Sequence, residues 1–232
     1  MLKFDKNYTV SPQGTLFVRK FLLKNGERTE CEIMRRSAVA VVCSGECDIL
    51  VQGMPFRLTK GGWVNIPGGR EVTVRVYRST EPVMVLLFCS KNGTEGTGKV
   101  ISGNVYDLLQ MPGTPPCAVF GQESRCILGC AYRLPAGEMW QTEIRGEKGI
   151  VILSDGTYTD GKGVEHRGTS GEVFWAEGGT EFCIAGAAGS EVMLVEAATD
   201  MAKAEEYAAW LKEENGILWE QGGVELSAVN EK

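Results

Sequence analysis

Apolar residues in this chain come in short runs. AVAVVC at 38–43 and GIVIL at 149–153 are almost continuously apolar, rich in β-branched side chains, and each is followed by a glycine-containing turn. Runs this short with that composition predict strands covered on both faces. TECEIM at 29–34 and WQTEIR at 140–145 instead alternate polar and apolar positions, the pattern of half-buried strands. CDILVQGMPFRLTKGG predicts a hairpin turning near Gly53, and TYTDGKGVEHRGTSGE one turning at Asp160–Gly163. Helical spacing is confined to the tail. After Asp200, a suitable N-cap, residues 201–215 bring Ala204, Tyr207, Ala208 and Leu211 onto one face, with Gly216 placed to stop the helix.

The strands recur in the same order. Gly26 and Gly45 return as Gly137 and Gly156, 111 positions on, while Gly61 and Gly69 return as Gly171 and Gly179, 110 positions on. One unit of about 110 residues is therefore used twice. The expected organisation is a barrel over 1–90, a Gly-, Pro- and Ser-rich linker over 91–120 whose VYDLLQM has room for one helical turn, a second barrel over 121–199, and a helix and tail over 200–232. Tyr207, Trp210, Leu211 and Trp219 make that tail more apolar than a solvated one, so it is expected to cover a barrel edge or a homodimer interface.

Charge and composition narrow the partners. A net charge of −6 argues against a nucleic-acid surface, which needs clustered Lys and Arg. No apolar run approaches the roughly 18 residues that would span a bilayer, and MLKFDKNYTV has no secretory h-region, so a cytoplasmic protein without membrane contact is expected. The eight cysteines do not recur at equivalent places, Cys43 matching Ser154 and Cys126 matching Thr15, which favours reduced thiols over a disulfide framework. Cys43/Cys47 and Cys126/Cys130 lack the two-residue gap of common zinc knuckles. NGTEGTGKV resembles a phosphate loop, but Val100 stands where the Mg-binding Ser or Thr belongs, and a plain loop is the better reading.

The paired glycine frames resemble the two motifs of the cupin superfamily, G-x5-H-x-H-x3,4-E-x6-G and G-x5-P-x-G-x2-H-x3-N. Two copies in tandem look like a bicupin, and the resemblance spans about residues 20–90 and 126–198. It implies an all-β fold of two tandem cupin-type jelly-roll barrels, here with a C-terminal α-helix. In cupins three histidines and a glutamate hold a divalent metal. The matching residues are Glu32, Met34, Ala38 and Val72 in the first copy, and Glu143, Arg145, Gly149 and Phe182 in the second. Neither set supplies the donors such a cation needs, so no metal and no other cofactor is expected. The sole histidine, His166, lies in a loop-like stretch and reads as a solvated surface residue.

If the motif positions point inward as they do in cupins, Glu30, Glu32 and Met34 line the first barrel, and Gln141, Glu143 and Arg145 the second. Arg145 could then grip a carboxylate or phosphate, Gln141 and Glu143 could bind hydroxyls or amides, and Trp140, Trp175 or Phe182 could supply stacking surface. Arg145 and Glu143 could equally neutralise each other inside a filled core. Three functions follow: a binding protein for a small polar, anionic molecule; an isomerase, epimerase or lyase using barrel carboxylates and Arg145; or a structural protein with solid barrels.

Overall fold

The computed structural model describes residues 8–10, 16–90, 98–107, 109, 117–120, 127–134, 140–142, 147–160, 163–176, 182–187, 190–197 and 223–225; for some strand residues, Trp140–Thr142 and Phe182–Ala185 among them, the backbone alone is described. The regular structure there is almost all β. The first half contributes β1 (Tyr8–Val10), β2 (Leu16–Leu23), β3 (Glu32–Ile33), β4 (Ala38–Ser44), β5 (Glu46–Val51), β6 (Met54–Thr59), β7 (Gly62–Ile66), β8 (Glu71–Arg75) and β9 (Val83–Ser90). β10 (Ile101–Asn104) and a single 3-10 turn, Val105–Asp107, follow in the linker. The second half contributes β11 (Cys117–Phe120), β12 (Ile127–Arg133), β13 (Trp140–Thr142), β14 (Glu147–Ile152), β15 (Gly156–Asp160), β16 (Glu165–Gly168), β17 (Val173–Ala176), β18 (Phe182–Gly186) and β19 (Glu191–Ala197).

The duplication seen in the glycine frames is also a duplication of topology. Strands β2-β9-β4-β7 are neighbours in one sheet and β12-β19-β14-β17 in another, each label raised by ten. The facing sheets repeat the same way, β3-β8-β5-β6 and β13-β18-β15-β16. All of these ladders are antiparallel. Each half is thus two sheets closed on one another, which is how an all-β chain hides an apolar face.

The continuous apolar runs are explained by what lies on either side of them. In β4, Ala38, Ala40 and Val42 belong to the core of the first barrel, while Val39, Val41 and Cys43 belong to a second cluster. That second cluster also takes Leu86 and Phe88 of β9, Ile127 and Ala131 of β12, Val151 and Leu153 at β14, and Met193 and Val195 of β19. The two large sheets therefore pack against each other, and the alternating rows of each strand serve two cores. With a core on both faces, β4 has no polar residue from Ala38 to Cys43.

Glycines mark the places where that packing is tightest. Gly61 and Gly171 lie in the turns just before β7 and β17 with φ of +79° and +85°, and their N–H groups donate to the Val42 and Ile152 carbonyls at 2.8 and 2.9 Å. A Cβ at Gly61 would lie 2.4 Å from the ring of Tyr106, and one at Gly171 2.7 Å from Met84 of the other half. Both the left-handed backbone and the close approach require glycine. Across the junction the Ser170 hydroxyl donates to the Cys43 carbonyl at 2.8 Å.

Among the described residues no helix is long and apolar enough to cross a membrane. The helix expected over 201–215 lies outside the described residues. The described piece of the tail is a strand, β20 (Gly223–Glu225), paired with β10 at the edge of the first large sheet.

Because the inter-sheet cluster draws on both halves, Phe88→Ala should cost about 3–5 kcal/mol and lower the stability of the whole chain. Urea unfolding followed by far-UV circular dichroism should keep one transition at a lower midpoint; a variant in which one half melts early while the other keeps its midpoint would show that the halves do not share this core.

Candidate functional site

In the first barrel, β3 and the segment before it hold the motif positions. Glu30, Glu32 and Met34 line one cavity with Phe21, Val72 and Val74, and its volume is about 10 Å³. That is room for about one water molecule. Glu32 sits opposite Val72 in register and forms an ion pair with Arg19 of β2. The Arg19 guanidinium in turn lies 4.6 Å from the Phe21 ring centroid. Glu30 is exposed. Met34, Ala38 and Val72 are all buried and offer no hard donor. A divalent cation does not fit here: of the two carboxylates Glu30 is exposed and Glu32 is already neutralised by a guanidinium, and the other lining residues offer no charged donor. Among the described residues, no group of three or more His, Cys, Asp or Glu is disposed to hold a metal.

The second barrel departs from the residue assignments made on the glycine frames. Tyr158 is 1% exposed and belongs to the apolar cluster of that barrel with Tyr132, Leu134, Ile150 and Ile152. It pairs with Gly186, so Gly186, Ile184 and Phe182 continue its row along β18. β13 joins this row through Trp140 opposite Ile184 and Thr142 opposite Phe182. Gln141, opposite Cys183, falls in the alternate row. In the first barrel the equivalent pair is Glu32 and Val72. Register thus makes Thr142, not Glu143, the counterpart of Glu32, and Trp140, not Gln141, the counterpart of Glu30. A one-residue difference in register exchanges the two faces of a strand. Glu143 and Arg145 lie outside the described residues.

The same parity moves two further residues. Gly149 pairs with Trp175, and a Cβ at Gly149 would meet Val173 and Trp175 at 3.1 and 3.2 Å. Trp175 and Val173 pack against the cluster between the large sheets, while Phe174 packs against the second barrel's own core. Trp175 therefore faces away from the barrel interior in which stacking was expected of it. His166 is not in a loop. It lies on β16 opposite Tyr158, half-buried, with its ring 5.7 Å from that of Phe174. The hairpin signal at 157–172 contained this placement, since His166 lies on the returning strand two residues before its end at Gly168, whose Cβ would strike the Tyr158 ring at 2.8 Å.

The strand pairs also match the barrels residue by residue. Arg19 pairs with Leu87, which pairs with Ala40; Cys130 pairs with Leu194, which pairs with Ile150. The cation that neutralises the first barrel's carboxylate thus has a thiol as its counterpart. The thiols are poor ligands. Cys43 and Cys47 belong to different clusters on opposite sides of the first large sheet, so they do not converge on a metal. Burial pushes the Cys43, Cys47 and Cys89 thiols up to about 12. Cys31, Cys43, Cys47, Cys89 and Cys130 are in no disulfide.

No protein-family model and no curated protein matches the sequence. Solved structures do match the fold. Protein Ylba from E. coli superposes with a TM-score of 0.64 at 14% identity, over 84% of this chain and 86% of that one. A cupin 2 conserved barrel domain protein from Leptotrichia buccalis gives 0.59 at 10% identity, over 85% and 92%. A salicylate 1,2-dioxygenase from Pseudaminobacter salicylatoxidans gives 0.61 at 12% identity, over 86% and 74%. Likeness of this extent at such low identity defines a fold: the chain is all-β, built as two tandem cupin-type jelly-roll barrels.

Raised thiol values make a pH prediction with a definite sign. A thiol whose folded value lies near 12 is more readily deprotonated when unfolded, so its contribution to stability is complete below about 9 and is lost as pH climbs from 9 towards 12. Denaturant midpoints should fall steadily over that window. At pH 8 a thiol reagent should modify exposed Cys31 readily, while the buried Cys43 and Cys47 should react only on unfolding; rapid labelling of Cys43 in the native protein would contradict its burial.

Proposed function

We propose that this protein is a metal-independent bicupin that binds a small polar, anionic molecule in its second barrel, the first barrel serving as a filled structural core. The observation that carries this reading is the difference between the barrels at equivalent positions. Where the first has Cys47 opposite Leu58 in an apolar row, the second has Tyr158 opposite His166. Where Glu32 stands opposite Val72, Thr142 stands opposite Phe182, with Trp140 two residues away. The first barrel's cavity of about 10 Å³ is too small for any metabolite.

Aromatic and hydrogen-bonding side chains in one barrel row are what a small-molecule pocket requires for orientation and stacking. Charge recognition falls to Arg145, three residues on from Thr142 in the sequence, because the counterpart of Arg19 is Cys130. The alternation through Thr142 would give Arg145 the parity of Gln141, so an inward Arg145 needs an irregular step between 142 and 147. Glu143 shares that parity, and with the same irregular step it would add a hydroxyl or amide acceptor.

Mass spectrometry of the supernatant from denatured, purified protein should identify a bound polar metabolite. Calorimetry with that molecule should show Arg145→Met weakening binding by about 1.5–3 kcal/mol with little change in melting temperature, and Trp140→Ala weakening it through lost stacking. Unchanged affinity in Arg145→Met removes it as the anchor. Loss of stability with no loss of affinity would instead mark Arg145 as the partner of Glu143 in a filled barrel.

A further inference from the structure

Arginines in the described residues fall into two groups. Arg19, Arg57, Arg75 and Arg133 each meet a carboxylate, Glu32, Glu46, Asp48 and Glu191 respectively. Arg28, Arg35, Arg36, Arg70, Arg78 and Arg167 have no such ion pair among the described residues, and the fold places three of these, Arg35, Arg36 and Arg70, on neighbouring loops at one end of the first barrel. Arg35 and Arg36 form the turn between β3 and β4, and Arg70 ends the loop between β7 and β8. Two backbone hydrogen bonds tie these loops together: the Met34 N–H donates to the Arg70 carbonyl at 2.9 Å, and the Gly69 N–H to the Met34 carbonyl at 2.6 Å. Gly69 makes the approach possible through its φ of +80°.

Arg35 and Arg36 are exposed and Arg70 is half-buried. Arg70 is steadied by a neutral group, its Nη1 donating to Gln52 Oε1 at 2.6 Å, which leaves the guanidinium charge uncompensated. Glu71, the adjacent acid, reaches out from β8 without an ion pair to any of the three among the described residues. Three neighbouring like charges repel one another. In a chain of net charge −6, with 30 acidic residues to draw on, such a cluster is the reverse of the average surface. Guanidinium forks are built to take oxyanions in pairs of parallel hydrogen bonds, and several on two loops suit a ligand with more than one anionic group.

We propose that the Arg35–Arg36–Arg70 end of the first barrel binds the phosphoryl groups of a small molecule that carries at least two of them. The site is separate from the second-barrel pocket and does not rest on it. It gives the filled barrel a task at its surface.

The test is calorimetry on the full chain with inorganic pyrophosphate in about 20 mM salt, with orthophosphate for comparison. Pyrophosphate should bind more tightly than orthophosphate, and its affinity should fall steeply as salt is raised. The double substitution Arg35→Gln, Arg36→Gln should lower pyrophosphate affinity by about tenfold or more, as should Arg70→Gln alone, with melting temperatures unchanged for the exposed pair. Arg145→Met should leave pyrophosphate binding as it was. The proposal is overturned if pyrophosphate gives no binding signal, or if the double variant binds as the parent does. It is also overturned if Arg145→Met alone abolishes binding, which would assign the anion to the second barrel. A phosphoserine peptide that binds where pyrophosphate does not would reject the small-molecule ligand in favour of a protein partner.

Discussion

The structure depends on the packing of two large sheets against each other, with a closed barrel behind each. Leu16, Val39, Val41, Leu86 and Phe88 from one half meet Ile127, Val151, Met193 and Val195 from the other, and all are 1% exposed or less. The strands that supply them also supply the barrel interiors through their alternate residues. Along most of their length those strands carry apolar residues, Arg19 of β2 being a charged exception that needs Glu32 as its partner. Turn requirements follow from the same packing. Gly61 and Gly171 are fixed where the junction leaves no room for a Cβ.

How much of this could be read from sequence differs by element. The doubly covered strands were legible because a run such as AVAVVC, too short for a helix and without a polar position, fits little besides a strand buried on both faces. The repeat was legible because its glycines are spaced by backbone geometry. Hairpin positions were legible for the same reason, Gln52 and Gly53 both having positive φ at the first turn. Facing was not. Val173, Phe174 and Trp175 are all apolar, so nothing in their pattern says that Trp175 serves the inter-sheet cluster and Phe174 the barrel. Likewise the glycine frame suggests one alignment of β13 and the ladder to β18 another, one residue apart, and only the ladder decides which residues share a row with Tyr158. His166 escapes a reading of its own stretch because its surroundings, Glu165, Arg167 and Gly168, look like a loop, although comparison with Leu58 in the first hairpin carries the signal.

The two barrels have diverged in opposite senses. The first has closed its interior: an ion pair caps a cavity fit for a single water, and Phe21, Met34, Val72 and Val74 line the rest of it. The second has gathered rings and a histidine on rows where the first has aliphatic residues and a thiol. A duplicated fold permits this, since one copy can supply rigidity while the other changes.

The face between the halves has a bearing on ancestry. A single unit of about 110 residues would present Val39, Val41, Leu86 and Phe88 to water, an apolar sheet face too large for a soluble monomer. Its second copy now covers it with the same strands in the same order. A one-unit forerunner would have had to pair with itself through this surface. On that view the linker between the halves fused an existing homodimer into one chain, and freed each barrel from having to match its twin.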